Sequence, residues 1–202
     1  VPAPDPSTTV ALLEPLVAFA TDSRKDNQAL IDWYAERLAA CGASVTTIAG
    51  PPGRSNLLAR IGPARAGGLL LSGHTDVVPA GEGWHHEPYA VTADGERLYG
   101  RGTADMKGFL ACALAVAGGL DGTRLSRPLH FALSYDEEIG CIGVRDLLAH
   151  ARADETVRPD LVVIGEPTML VPCLAHSGKL AYRVVVTAPA GHSSKSRTQR
   201  SA

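Results

Sequence analysis

Short, uninterrupted apolar runs alternating with helical-period segments constrain this chain more than any other feature. Runs at 56–61, 68–72, 128–135 and 161–164 are rich in Val, Ile, Leu and Phe and show no polar alternation. A strand reads this way when both of its faces are covered. Between and before them lie helical segments at 10–19, 28–40, 106–120 and 142–150. In the second of these, Leu30, Ile31, Tyr34 and Leu38 recur at helical spacing, Asn27 is placed to cap the start, and Gly42 to end it. Thr8 and Thr9 are placed to start the first. A further strand is predicted over 44–48, with Pro/Gly turns at 50–53 and 62–67 and a hairpin turn at Asp94-Gly95. Strands alternating with helices predict an α/β domain of three layers with a largely parallel central sheet.

Composition narrows the function classes. The 202 residues are 45% hydrophobic and 20% charged, enough apolar content for a sizeable core and too much for a disordered chain. With 19 Lys and Arg against 21 Asp and Glu, the chain shows no electrostatic footprint for nucleic acid or an anionic membrane. The longest uncharged apolar run, Phe109 to Leu120, is too short to span a bilayer. Residues 1–5 lack a basic region followed by an apolar one, so no secretory signal is expected. Cys41, Cys112, Cys141 and Cys173 stand in apolar contexts without C-x-x-C spacing, which predicts buried, reduced thiols in a cytoplasmic protein.

The pattern changes after Pro172. Residues 180–187 alternate like a half-exposed strand, and 194–202 are polar and basic. The expected division is a metal-binding catalytic portion over 1–177 and the beginning of a second unit over 178–202.

Four segments carry residues able to do chemistry, three of them directly after predicted strands, and sites in open α/β sheets form beyond the carboxyl ends of strands. His74 follows the run at 68–72. One ring nitrogen is free for a metal, and Asp76, two residues on, can take the other N–H; the alternative is a surface histidine beside an aspartate in a turn. Asp105 lies between a Gly-rich turn and a helix, where it reads either as an N-cap or as a carboxylate free to bridge two cations. Asp136, Glu137 and Glu138 follow the run at 128–135. Three adjacent acids repel one another, and a divalent cation relieves that conflict; one acid can bind it while a neighbour serves as base. A solvated acidic turn is the plainer reading. Glu166 ends the run at 161–164, read as buried, and is stiffened by Pro167. One imidazole with several carboxylates and no thiolate suits a catalytic two-metal site rather than a structural zinc site.

In order along the chain, SGHTDVVP, LYGRGTADMKG, SYDEEIGCIG and GEPT resemble the dinuclear zinc amidohydrolase and exopeptidase superfamily, over about residues 23–194. The stretch from Ser134 to Cys141, with Gly165 to Thr168, is most similar to its N-acetylornithine-hydrolysing branch. The resemblance implies a zinc-exopeptidase-like catalytic domain followed by an α+β lid and dimerisation domain, two Zn2+ ions with Co2+ as a possible substitute, and a homodimer. It implies hydrolysis of the amide bond of an N-acyl amino acid, N2-acetyl-L-ornithine foremost, as a step of arginine biosynthesis. Desuccinylase, aminoacylase or carboxypeptidase activity, or a catalytically silent metal-binding remnant, are the alternatives.

By the same resemblance, His74 and Glu166 are ligands of one ion, Asp105 bridges, and Glu138 binds the other ion. Glu137 is the general base and Asp76 the partner of the His74 ring. His192, in Gly191-His192-Ser193-Ser194, stabilises the oxyanion across a dimer. The Asp105–Met106 bond is a candidate cis peptide. Family members run on to supply a further histidine to the second ion, so that site is expected to be incomplete here, with His176 as a possible substitute.

Overall fold

The structure is a computed structural model. It describes residues 3–175, 177, 178, 180 and 182–187. The chain divides into two compact units, 1–167 and 168–202.

The first unit is built on a five-stranded sheet in the order β1-β2-β6-β3-β7. Its strands are β1 (Ser44–Ala49), β2 (Ser55–Ile61), β3 (Leu69–His74), β6 (Leu129–Ser134) and β7 (Leu161–Ile164); β4 (Thr92–Asp94) and β5 (Arg97–Tyr99) form a separate hairpin. The helices are α1 (Pro6–Ala18), α2 (Gln28–Ala40), α3 (Lys107–Gly118) and α4 (Val144–Ala153). The sheet is mixed, which corrects the expectation of a largely parallel one. β1 pairs with β2, and β2 with β6, antiparallel; β3 pairs with β6 and with β7 in parallel. The physical reason is the five-residue link from Gly50 to Arg54. It closes a hairpin but is far too short for the crossover a parallel pair requires.

Alternation along the strands distributes the core. Leu57, Ala59 and Ile61 of β2 and Leu129, Phe131 and Leu133 of β6 face one side, where they meet Leu13, Leu16 and Val17 of α1, the α2 stripe, and Leu110, Leu114 and Ala117 of α3. Ala111, Ala113, Ala115 and Ala117 are small, which allows close packing along α3. Tyr34 is fully buried, and its hydroxyl donates to the Leu110 carbonyl at 2.9 Å, satisfying the one polar atom it carries inside. On the opposite face Leu58 and Ala132 pack against Leu147 of α4.

Several local expectations are corrected. The first helix starts at Pro6, not after Thr9. Asp5 caps it by accepting the Ser7 N–H, and proline at the first helical position is pre-set for the helix. Asn27 makes no cap bond, although α2 begins where expected. Its side chain instead donates to the Ser55 carbonyl and the Thr75 hydroxyl and accepts the Ser55 N–H, stitching α2 to the sheet. β7 is not buried: it is the sheet edge beside β3, and all four of its side chains are exposed. Cys112, Cys141 and Cys173 are exposed and Cys41 half-buried, all as free thiols; Cys112 and Cys141 occupy outward positions that an apolar neighbourhood in sequence does not reveal.

In the second unit, residues 182–187 form no strand. Tyr182, Val184, Val185 and Val186 are exposed, with no ladder partner among the described residues. His192 and His176 lie outside the described residues, as does most of the proposed lid segment. Among the described residues no helix is long and apolar enough to cross a membrane.

Candidate metal centre

Parallel pairing of β6, β3 and β7 brings their carboxyl ends to one edge of the sheet. His74 stands in register with Ser134, and Ser72 with Ile164. The residues that follow each strand therefore meet. The His74 Nε2 atom lies 3.1 Å from Asp105 Oδ1, 3.6 Å from Glu166 Oε1 and 3.9 Å from Glu137 Oε2. One ligand atom each from His74, Asp105 and Glu138 lie within 4.8 Å of one another, and so do those from His74, Glu137 and Glu166. The donor set of one imidazole and carboxylate oxygens fits divalent ions. Asp105 is delivered by the turn before α3, and the Asp105–Met106 peptide is cis.

The histidine is held for this task. Its Nδ1 stands 2.8 Å from the backbone carbonyl of Asp76. A carbonyl accepts only, so Nδ1 carries a proton, and Nε2 is the ring atom that faces the cluster. The Asp76 carboxylate, the expected partner, stands farther off, with Oδ1 at 3.6 Å. Its two oxygens do something the sequence did not suggest. Oδ1 accepts the Glu137 N–H at 2.9 Å, and Oδ2 accepts the Glu138 N–H at 3.3 Å and the Ser23 hydroxyl at 2.7 Å. Asp76 thus ties the loop after β3 to the loop after β6.

The three acids after β6 are separated in role by their backbone. Asp136 turns inward with φ +52° and is buried, whereas Glu137 and Glu138 face the cluster. The Cys141 thiol donates to Glu137 Oε1 at 3.3 Å, leaving Oε2 directed toward His74.

Charge crowding shows in the titration of these groups. Burial opposes a charge on His74, but the carboxylates of Asp76, Glu166 and Glu137 prevail and raise its pKa. Burial and the neighbouring Asp105 carboxylate raise the pKa of Glu138. Burial, with Asp105, Glu137 and Asp76, raises that of Glu166 against the pull of His74. A divalent cation relieves all three at once.

Lys107, the first residue of α3, is fully buried, and its Nζ has no hydrogen-bond partner. Burial pushes its pKa down from 10.5 to about 8, against the Asp22 and Asp76 carboxylates, which favour its charge. In the unfolded chain the ammonium holds its proton up to the higher value. Between the two, the unfolded state binds more protons, so the Lys107 contribution to stability is full above pH 10.5 and is lost as pH falls toward 8. The difference is on the order of 3 kcal/mol. The Tyr34 phenol and Cys41 thiol, raised by burial, the Cys112 thiol, raised by partial desolvation from its neighbours, and the Cys141 thiol, raised by partial desolvation and by Glu137, act in the opposite sense over this range. A Lys107→Met variant isolates the lysine. In urea unfolding without metal, the stability difference is expected to move in favour of the wild type by that amount between these two pH values. A difference that stays constant would refute it.

Comparison with known proteins places the chain in a family. Residues 70–192 match the model of peptidase family M20/M25/M40. The acetylornithine deacetylase of Vibrio cholerae serotype O1 is 41% identical over 178 residues, 87% of this chain and 46% of the relative. That of Proteus mirabilis is 41% identical over 196 residues, 93% of this chain and 49% of the relative. The chain therefore spans about half the length of these relatives. Human carnosine dipeptidase 1 superposes with a TM-score of 0.64 at 27% identity, over 78% of this chain and 38% of that one. The M20 family metallo-carboxypeptidase Sso-CP2 of Sulfolobus solfataricus, at 21% identity and TM-score 0.67 over 78% of this chain and 37% of its own, shares the fold. With residues 70–192 matched and relatives at 41% identity over most of its length, the chain belongs to peptidase family M20/M25/M40.

Proposed function

We infer that this chain is the metal-binding portion of an amidohydrolase acting on N-acyl amino acids, with N2-acetyl-L-ornithine the preferred substrate. The observation that carries the reading is the convergence of Asp105, Glu137, Glu138 and Glu166 on His74, in a chain 41% identical to acetylornithine deacetylases over most of its length. His74, Asp105 and Glu166 would hold one Zn2+; Asp105 and Glu138 would hold a second, with fewer ligands. Bound divalent ions lower the pKa of the attacking water and polarise the acyl carbonyl. Glu137 takes the proton of that water and returns it to the leaving amine as the amide bond breaks. Asp76 holds the Glu137 and Glu138 amides and, through its carbonyl, the His74 ring. His192 is assigned by resemblance as the donor that stabilises the oxyanion. Residues 178–202 would begin a lid and dimerisation domain, and the enzyme would act on its small substrate in the cytoplasm.

A second reading is favoured by one observation: among the described residues, Glu138 shares the second ion only with Asp105 and with His74, already committed to the first. This chain would then bind one ion without turnover. Zinc stoichiometry, measured with hydrolysis of N2-acetyl-ornithine, N-succinyl-diaminopimelate and other N-acyl amino acids, separates the two. Two ions per chain with fastest release from acetylornithine is the expected result for the enzyme; one ion and no hydrolysis of any substrate establishes the silent form.

A further inference from the structure

Asp136 has no place among the candidate ligands, yet it is more thoroughly enclosed than either glutamate that follows it. It is 1% exposed, and its backbone is left-handed at φ +52° without being glycine. Its Oδ1 accepts the Arg24 N–H at 2.6 Å, and its Oδ2 pairs with the Arg54 guanidinium at 2.5 Å. Its carbonyl accepts the Ile142 N–H at 3.1 Å. Arg54 belongs to the tip of the β1–β2 hairpin, where its own N–H donates to the Pro51 carbonyl and its carbonyl accepts the Gly50 N–H. The same tip is seated on Tyr135: a Cβ at Gly50 would lie 2.6 Å from the Tyr135 hydroxyl, and the Arg54 guanidinium stands 5.9 Å from the ring centre.

We propose that Arg54 is a positioning residue for Glu137 and Glu138. Acting through Asp136, it sets the backbone course that presents both glutamate amides to the Asp76 carboxylate and both glutamate side chains to the His74 centre. The physical reason is the burial of the Asp136 carboxylate. A buried charge keeps its place when it is paired; without its cation it is drawn to water. Asp136 reaches water by leaving the left-handed conformation, which costs a non-glycine residue something to hold and survives when its surroundings enforce it. That rotation turns the next two peptide units, whose N–H groups then leave Asp76. A hairpin far from the metal ligands in sequence thus governs the geometry of the base and of one ligand. The proposal rests on the reading of Glu137 and Glu138 as parts of the centre.

Amide hydrogen exchange by NMR on the full metal-free chain tests it independently of activity. In Arg54→Met, exchange at the Glu137 and Glu138 amides is expected to accelerate at least about tenfold, while the β2–β6 ladder keeps its protection. In the double variant Arg54→Met, Asp136→Asn most of that protection returns. Asparagine still accepts the Arg24 N–H, tolerates the left-handed backbone and leaves no charge unpaired. A zinc titration adds a second readout: Arg54→Met weakens uptake about 10- to 100-fold, and the double variant recovers it. The proposal is overturned if both amides exchange at the wild-type rate in Arg54→Met. It also falls if protection is lost evenly across the sheet, or if the double variant is no better than the single one. A wild-type chain that takes up no zinc sinks the metal reading, and the exchange rates still decide the role of Arg54.

Discussion

Replacing Glu137 by glutamine is expected to lower kcat about 10²- to 10⁴-fold while zinc content stays at the wild-type level. That range is what a positioned general base contributes. The substitution keeps the volume of the side chain and an oxygen that can accept the Cys141 thiol, so the local packing survives. What it removes is the capacity to take a proton at Oε2, the oxygen 3.9 Å from His74 Nε2. The two arms of the measurement separate the roles open to this residue, because Glu137 also stands within ligand distance of His74 and Glu166. Lost turnover with retained zinc identifies a base. Lost zinc along with turnover would make Glu137 a ligand, and full activity would remove it from the chemistry altogether.

How much of this centre could be read from the sequence depends on whether the information was local. His74, Asp105, Glu138 and Glu166 each follow a strand or precede a helix, and the strands announced themselves as apolar runs with turns after them. Their meeting required only that β3, β6 and β7 run parallel, as they do. Where the reading missed, the missing fact was a pairing between distant segments. The expectation of a largely parallel sheet fails at β1 and β2, where the short turn at 50–54 excludes a crossover. β7 looked buried because its four residues are all aliphatic; its place at the sheet edge is set by topology, which composition does not encode.

The supporting residues were harder to see. Arg54 and Arg24 lie 82 and 112 positions from Asp136, and nothing in their own neighbourhood points there. In sequence the first acid of the run at 136–138 reads like the other two; its left-handed backbone, its burial and its pairing with Arg54 set it apart. The exposed thiols show the same limit from the other side. Cys112 sits in a helix of alanines and leucines, and its outward position depends on which face of α3 meets α1.

Removal of the His74 side chain carries the second large effect. His74 is common to both groups of candidate ligands, so His74→Ala takes a donor from each. The carboxylates left behind keep their mutual repulsion and lose the imidazole that, among the described residues, both groups share. Loss of a partner that merely orients a ligand costs metal affinity about 10- to 100-fold, so loss of this shared ligand is expected to cost at least about 100-fold. The alanine leaves a cavity at a buried position, so the variant's fold is checked by circular dichroism in the same samples.

Calorimetric titration of the metal-free chain with Zn2+, wild type beside His74→Ala, therefore bears on the central claim directly. The account predicts saturable uptake by the wild type and loss of that uptake in a folded variant. Equal binding by the two chains, or none by the wild type, would contradict the convergence of these side chains on a bound ion.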